Sequence, residues 1–352
     1  MSSTSGSAPA FLSLSGEDFS ALVAKLGGRP FHGRIVRQAI LEKGQLDFSL
    51  MTSLPREVRD GLQREVRLLA GRELERVVSK DRTTKLLLSF ARDGERDATV
   101  ETVHIPPRDP TRGAGATLCV STQVGCPVGC PFCASGKAGL VRNLETHEIV
   151  EQYLRGRALG ELSRSVVMGI GEPLLNFANL KAALDIVHDE MGMGSRKVTV
   201  STVGFPDRLR RIAPTKPRFQ LAISLHTPDD DQRGELVPAM AGVPIEEILA
   251  AGDDWFEKTG REVTYEYVLL SGTNDSPGHA ERLARRLARR RCSVNLIPFN
   301  PVRGAPYGRP VLAAVELFQQ ALAAERVIGT VRWSRGVDSD AACGQLRIKN
   351  LA

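Results

Sequence analysis

The sequence predicts an α/β fold whose main body is a partial (β/α)6 barrel, preceded by a small N-terminal helical domain and a short β extension. Three observations carry this. From residue 116 onward, short apolar runs alternate with segments of helical periodicity, the pattern of a parallel sheet with right-handed crossovers. The runs fall at 116–121, 165–169, 197–202, 219–225, 262–270 and 292–298, too few for a closed eight-stranded barrel. Finally, polar or Gly/Pro-rich strings follow these runs, where such folds place their ligand sites.

Taken in order, residues 1–15 are rich in Ser, Ala and Gly and read as a mobile tail. Residues 16–75 form the helical domain. Asp18 is the expected cap of a helix carrying Phe19, Leu22, Val23 and Leu26, and Gly27-Gly28 stops it. A second helix runs through Ile35, Ile40 and Leu41, and a third follows Pro55 with Val58, Leu62 and Val66. Residues 76–111 are the β extension and linker. Strands are expected around Val77-Val78, 85–88 and 100–103, with a turn at Arg92-Asp93-Gly94 and a linker at Pro107 and the Gly-rich 113–115. The barrel core occupies 112–338, with helices starting near Thr146, Asn176, Pro206, Pro244 and Ser276. A further helix over 311–325 and a last strand near 327–333 follow, and a C-terminal segment spans 339–352.

The chain's 352 residues, 42% hydrophobic, suffice for one large domain and a small one. A net charge of +6 favours an anionic partner, although charge alone decides little. Six cysteines in so long a chain make no disulfide scaffold, which points to a reducing cytoplasm and to metal or redox chemistry. No apolar stretch is long enough to span a membrane, and the Ser-rich start lacks the features of a secretory leader.

The chemistry concentrates at Cys126, Cys130 and Cys133, spaced Cys-x3-Cys-x2-Cys. Thiolates on one short loop suit zinc or an iron–sulfur cluster. A closed zinc site wants a fourth Cys or His nearby, and neither His104 nor His147 stands at such a spacing. A four-iron cluster held by three cysteines leaves one iron open to a ligand. Beyond this loop, Gly171-Glu172-Pro173 offers a carboxylate beside open backbone, suited to an ammonium group. Ser201, Ser224 and Asn300 can hydrogen-bond a carboxylate or ribose, although each alone is equally a cap or loop residue. His226 taken alone reads as structural. Cys292 reads as a buried strand thiol. The arginines of 282–291 and of the N-terminal helices are either solvated helix faces or contacts to an anionic partner.

The cysteine spacing resembles that of the radical S-adenosylmethionine superfamily. Cys119 seven residues before the loop, Arg142-Asn143-Leu144 after it, and Asp340-Ala341-Ala342-Cys343-Gly344-Gln345-Leu346 near the end resemble the RlmN/Cfr family of RNA adenosine methyltransferases. The resemblance covers roughly residues 18–347. It implies a radical SAM barrel with a 4Fe-4S cluster on Cys126, Cys130 and Cys133. It implies S-adenosyl-L-methionine at Gly171, Glu172, Ser201, Ser224, Leu225, His226 and Asn300. It also implies that Cys343, on a mobile segment, carries the transferred methyl, that Cys119 forms a transient disulfide with Cys343, and that Glu101 accepts a proton. Glu101 alone would read as an exposed strand carboxylate. The implied activity is methylation of adenosine C2 in 23S rRNA, and in tRNA beside the anticodon. The expected enzyme is a cytoplasmic monomer fed by a flavodoxin-like or other electron donor. A C8-directed enzyme of the same family and a non-catalytic iron–sulfur RNA-binding module are the alternatives.

Overall fold

The computed structural model describes residues 8–91, 98–109, 111 and 115–347. The expected turn at 92–94, residues 1–7 of the tail, residues 113–114 of the linker and the end of the C-terminal segment from 348 lie outside these residues.

The N-terminal helices are α1 (Gly16–Lys25), α2 (Pro30–Leu41) and α3 (Arg56–Glu65). The cap of α1 is Ser15, not Asp18: the Ser15 hydroxyl accepts the Asp18 N–H at 3.0 Å, so Asp18 occupies the first turn, where its charge favours the helix dipole. The expected tail is ordered from residue 8, because Ala10 bridges to Arg67 and Phe11 is fully buried against Phe19. An apolar ring at that position gains too much by burial to stay in water.

Among the described residues, one ten-stranded sheet organises the rest. Its antiparallel flank is β1 (Arg72–Val78), β2 (Thr84–Ser89) and β3 (Thr99–Ile105), so the β extension starts a few residues before 76. β4 (Ala116–Cys119) pairs antiparallel with β3 and parallel with β7 (Leu162–Val167). The parallel series continues through β8 (Val198–Thr202), β9 (Gln220–Ser224), β10 (Val263–Leu269), β11 (Cys292–Pro298) and β12 (Ile328–Val331). Crossovers are α4 (Thr146–Leu159), α5 (Phe177–Asp189), α6 (Pro206–Ile212), α7 (Asp230–Leu236), α8 (Ile245–Thr259), α9 (Pro277–Leu287) and α10 (Leu312–Ala324). A hairpin of β5 (Gln123–Gly125) and β6 (Leu140–Asn143), which alternation of apolar runs does not reveal, brackets the cysteine loop.

Alternation along β3 decides what faces what. The Thr102 hydroxyl donates to Gln152 on α4 at 2.7 Å, so that face is covered by a helix. Glu101 and Val103 point the other way, and Val103 stands opposite Cys119. This second face is covered by the C-terminal segment, with Val103, Cys119, Ile170, Ala341 and Leu346 packed together.

Candidate active site

Side chains from the ends of β7, β8, β9, β10 and β11 line one cavity of about 140 Å³, so the sheet curls around it. Cys126, Cys130 and Cys133 form one wall, between the β5–β6 hairpin and the cavity. Burial pushes the Cys126 thiol up to about 12 and raises Cys130 strongly, with neighbouring thiols adding to both shifts. The loop is tied in place by its own backbone: Cys126 N–H donates to the Gly139 carbonyl at 2.9 Å and Cys133 N–H to the Cys130 carbonyl at 3.1 Å.

Gly171, at φ +112, opens the floor. A Cβ there would lie 2.7 Å from the Gln123 Cβ, so only glycine fits. Its neighbour Glu172 is buried, and both carboxylate oxygens are engaged. One accepts Thr202 Oγ1 at 2.6 Å and Leu174 N–H at 3.0 Å; the other accepts Val203 N–H at 2.9 Å. Burial raises its pKa, only partly offset by these donors and by the more distant Arg208 guanidinium, and among the described residues no cation forms a close ion pair with it. A fixed, desolvated carboxylate facing a cavity favours a cationic ligand. Ser201 and Ser224 stand side by side, hydroxyl oxygens 3.4 Å apart.

His226 follows β9 with φ +68, a conformation costly for a residue with a side chain. Asn274 holds it there by donating to the His226 and Val268 carbonyls, each at 2.7 Å. The ring Nδ1 accepts Val268 N–H at 3.2 Å, and burial depresses the imidazole to about 3. The ring is therefore neutral, with its proton on Nε2, and packs edge-on against Phe132 of the cysteine loop at 5.0 Å. Asn300 donates to the Cys343 carbonyl at 3.0 Å and to Ser334 at 2.8 Å, while its Oδ1 is buried with no protein partner. Leu225 alone of the expected ligand-binding set does not line the cavity; it is fully buried in the core.

Cys343 lines this cavity and also a second one, of about 190 Å³, together with Cys119, Met168, Arg332 and Trp333. Cys343 thus stands in the partition between the two spaces. Burial lifts Cys119 to about 12 and Cys343 to about 11, and the Arg332 guanidinium offsets part of both rises. Both are free thiols, so the implied disulfide is absent here. The segment that carries Cys343, expected to be mobile, is docked. Ala134 N–H donates to the Gly344 carbonyl at 2.8 Å, Ser135 Oγ to the Leu346 carbonyl at 2.7 Å, and Gln345 Nε2 to the Pro301 carbonyl at 2.9 Å.

Glu101 is not an exposed strand carboxylate: it is fully buried, 3.0 Å from Lys85 Nζ, and accepts Arg347 N–H at 2.9 Å. It lines neither cavity, although it shares the sheet face of Cys119. Cys292 is partly exposed at the start of β11 rather than buried, beside Arg290 and Arg291 at the sheet's other end.

Sequence reasoning missed two cavity neighbours. Glu266, mid-strand on β10, is buried with one carboxylate oxygen unpartnered, and it lines the first cavity. Arg233 on α7 is buried behind the cysteine loop, with one guanidinium nitrogen donating to the Val203 carbonyl at 2.7 Å and to the Ser224 carbonyl at 3.2 Å. A charged residue inside an apolar strand was the available signal for Glu266; Arg233 lies in a polar helix and gave none. On the exposed side of α9, Arg282 pairs with Asp229 at 2.7 Å and Arg285 with Glu281 at 3.2 Å.

A curled α/β sheet with three loop thiols over the carboxyl ends of its strands defines a radical S-adenosylmethionine enzyme, and the radical SAM superfamily profile matches residues 120–284. The probable dual-specificity RNA methyltransferase RlmN of Synechocystis sp. is 42% identical over 340 residues, covering 96% of this chain and 94% of that protein. Its counterpart in Synechococcus sp. is 44% identical over 331 residues, covering 91% of this chain and 93% of its own. The crystal structure of a radical SAM methyltransferase from Sphaerobacter thermophilus superposes with a TM-score of 0.87 at 39% identity, over 97% of this chain and 99% of that one. The chain belongs to the RlmN family.

The family's cofactors are a 4Fe-4S cluster and S-adenosyl-L-methionine, and the first cavity suits both. Cys126, Cys130 and Cys133 stand together on one wall of that cavity, and soft thiolate donors suit an iron–sulfur cluster. The unpaired charge of Glu172 and the orphaned Oδ1 of Asn300 supply what an ammonium and a ribose hydroxyl need.

Proposed function

We propose that this protein is a radical S-adenosylmethionine RNA methyltransferase that places a methyl group on C2 of an adenosine in 23S rRNA, and in tRNA beside the anticodon. The observation that carries this reading is the position of Cys343 between two cavities, one with the loop thiols and the other with Cys119. C2 of adenine is an electron-poor carbon, so polar methyl transfer by a nucleophilic substrate does not serve. When bound, the cluster and S-adenosylmethionine supply reductive generation of a carbon radical.

The chain's own residues divide the remaining work. Cys126, Cys130 and Cys133 hold the cluster. Glu172 receives the ammonium group, Asn300 Oδ1 a ribose hydroxyl, Ser201 and Ser224 further polar groups, and the neutral His226 ring braces Phe132 over the cluster loop. Gly171 lets the backbone approach. Cys343 accepts a methyl on its sulfur from the first cavity and presents it toward the second. Cys119, which lines the second cavity with Cys343, attacks the Cys343 sulfur: the S–S bond forms as the S–C bond to the product breaks, the electron pair stays on the product carbon, which takes up a proton, and a reductant reopens the transient disulfide. Glu101, on the Cys119 face of the sheet, takes up the adenine proton, and Lys85 beside it steadies its charge until then. A flavodoxin-like donor, a monomeric state and a cytoplasmic location complete the reading; no helix among the described residues is long and apolar enough to cross a membrane.

Mass mapping of rRNA and tRNA from a strain lacking the gene, with and without complementation, tests the function. Restoration of a C2-methylated adenosine is the expected result, and methylation patterns identical in the two strains refute it.

A further inference from the structure

Trp333 lies just after β12 and lines the cavity that holds Cys119 and Cys343, yet it stays 40% exposed. An indole left in water forgoes stabilisation that burial would give; the chain's other tryptophan, Trp255, is fully buried. The Arg309 guanidinium lies over the Trp333 ring, 5.8 Å from its centroid. Arg332, whose Nη1 contacts the Met168 sulfur at 2.9 Å, turns into the same cavity. Neither Arg309 nor Arg332 forms a close ion pair among the described residues, although Arg332 lies near enough to the buried Glu266 carboxylate to offset part of its raised pKa.

We propose that Trp333, backed by Arg309, is a stacking platform for a nucleobase flanking the target nucleotide. The inference rests on the RNA reading above and adds a recognition element to it. A nucleotide drawn into a cavity leaves its neighbour with a bare π face, and that face needs a new partner. Proteins that recognise unpaired RNA supply one from aromatic rings and arginine planes. Trp333 stands at the place where such a neighbour emerges, since the ring belongs to the wall of the cavity and still reaches solvent. Arg332 and Arg309 add positive charge for the adjoining phosphates.

The test uses the full-length protein and two single-stranded heptaribonucleotides with a central adenosine. One is complete, and the other is abasic at the positions on either side of the adenosine. Because Trp255 is sealed in the core, a change in tryptophan emission reports on Trp333. The complete oligonucleotide should quench the emission, and the abasic one should not, an outcome that needs no variant to fold. W333A should bind the complete oligonucleotide roughly 5- to 150-fold more weakly, the range measured for one lost stacked base. W333F should hold affinity within about threefold, because a phenyl ring also stacks. Equal quenching by the two oligonucleotides, or W333A binding like the wild type, overturns the platform. Failure of the underlying function looks different: wild-type protein would then methylate no RNA at all.

Discussion

Replacing Lys85 with Met tests how the methyl-carrying segment is held. Lys85 is buried, and its ammonium group bridges Glu101 at 3.0 Å and the Asp340 carbonyl at 2.8 Å. Glu101 in turn accepts Arg347 N–H at 2.9 Å. Two buried strand residues thus fasten the C-terminal segment on both sides of Cys343. Removing one partner of a buried ion pair costs about 3–5 kcal/mol, because the other charge stays desolvated. Loss of the donor to the Asp340 carbonyl adds about 1 kcal/mol. A total of about 4–6 kcal/mol is a large part of an ordinary domain's stability. Urea unfolding of K85M measures it, and hydrogen exchange over residues 340–347 should rise in parallel. K85M combined with E101Q removes both charges and should recover most of the stability, yet not the docked segment, since Asp340 still lacks its donor. A loss below about 1 kcal/mol in K85M with unchanged exchange would refute this account of the anchor.

Other expectations concern the first cavity and acid. Gly171→Ala sets a Cβ 2.7 Å from the Gln123 Cβ and 2.8 Å from its backbone nitrogen, so it should destabilise by about 1–3 kcal/mol in urea melts and weaken S-adenosylmethionine binding. Glu172→Gln removes a buried negative charge opposite the ammonium site. Anaerobic equilibrium dialysis should show affinity for S-adenosylmethionine falling roughly ten- to a hundredfold, from about 1.5–3 kcal/mol for a charged hydrogen bond. For Asp81, burial acts to raise the pKa, but hydrogen bonds from Arg335, Thr83 and Gly336 outweigh it and hold the carboxyl near 2, below its ordinary 3.8. A depressed folded-state pKa gives stability that is present above about 4 and is lost as pH falls toward 2. Exchange over 335–341 should therefore rise across that window in the wild type and lose this dependence in Asp81→Asn.

Much of this was legible in the sequence, and the reasons differ by element. The parallel strands were readable because each is an apolar run ended by a polar or glycine-rich string, and the structure brings those strings to one cavity. The β5–β6 hairpin escaped because its strands are three and four residues long, too short for periodicity to register. The burial of Glu101, which taken alone would read as exposed, escaped because its face of β3 is covered by a segment more than 200 residues away in the chain. The order at Ala10 and Phe11 escaped for the same reason, since their partners, Arg67 and Phe19, come from two different parts of the helical domain. Cys292 was placed on the right strand, but at its first residue, where the sheet no longer encloses it. Non-local cover is what local pattern cannot supply.

The central claim is that Cys343 and Cys119 do complementary work across one cavity. It is tested most directly by the intact mass of Cys119→Ala protein after anaerobic incubation with S-adenosylmethionine, a reductant and a 23S rRNA transcript. With nothing to resolve the thioether, a covalent RNA adduct at Cys343 should accumulate and methylated RNA should not be released. Methylated RNA released by Cys119→Ala at the wild-type rate, with no adduct, would contradict the account.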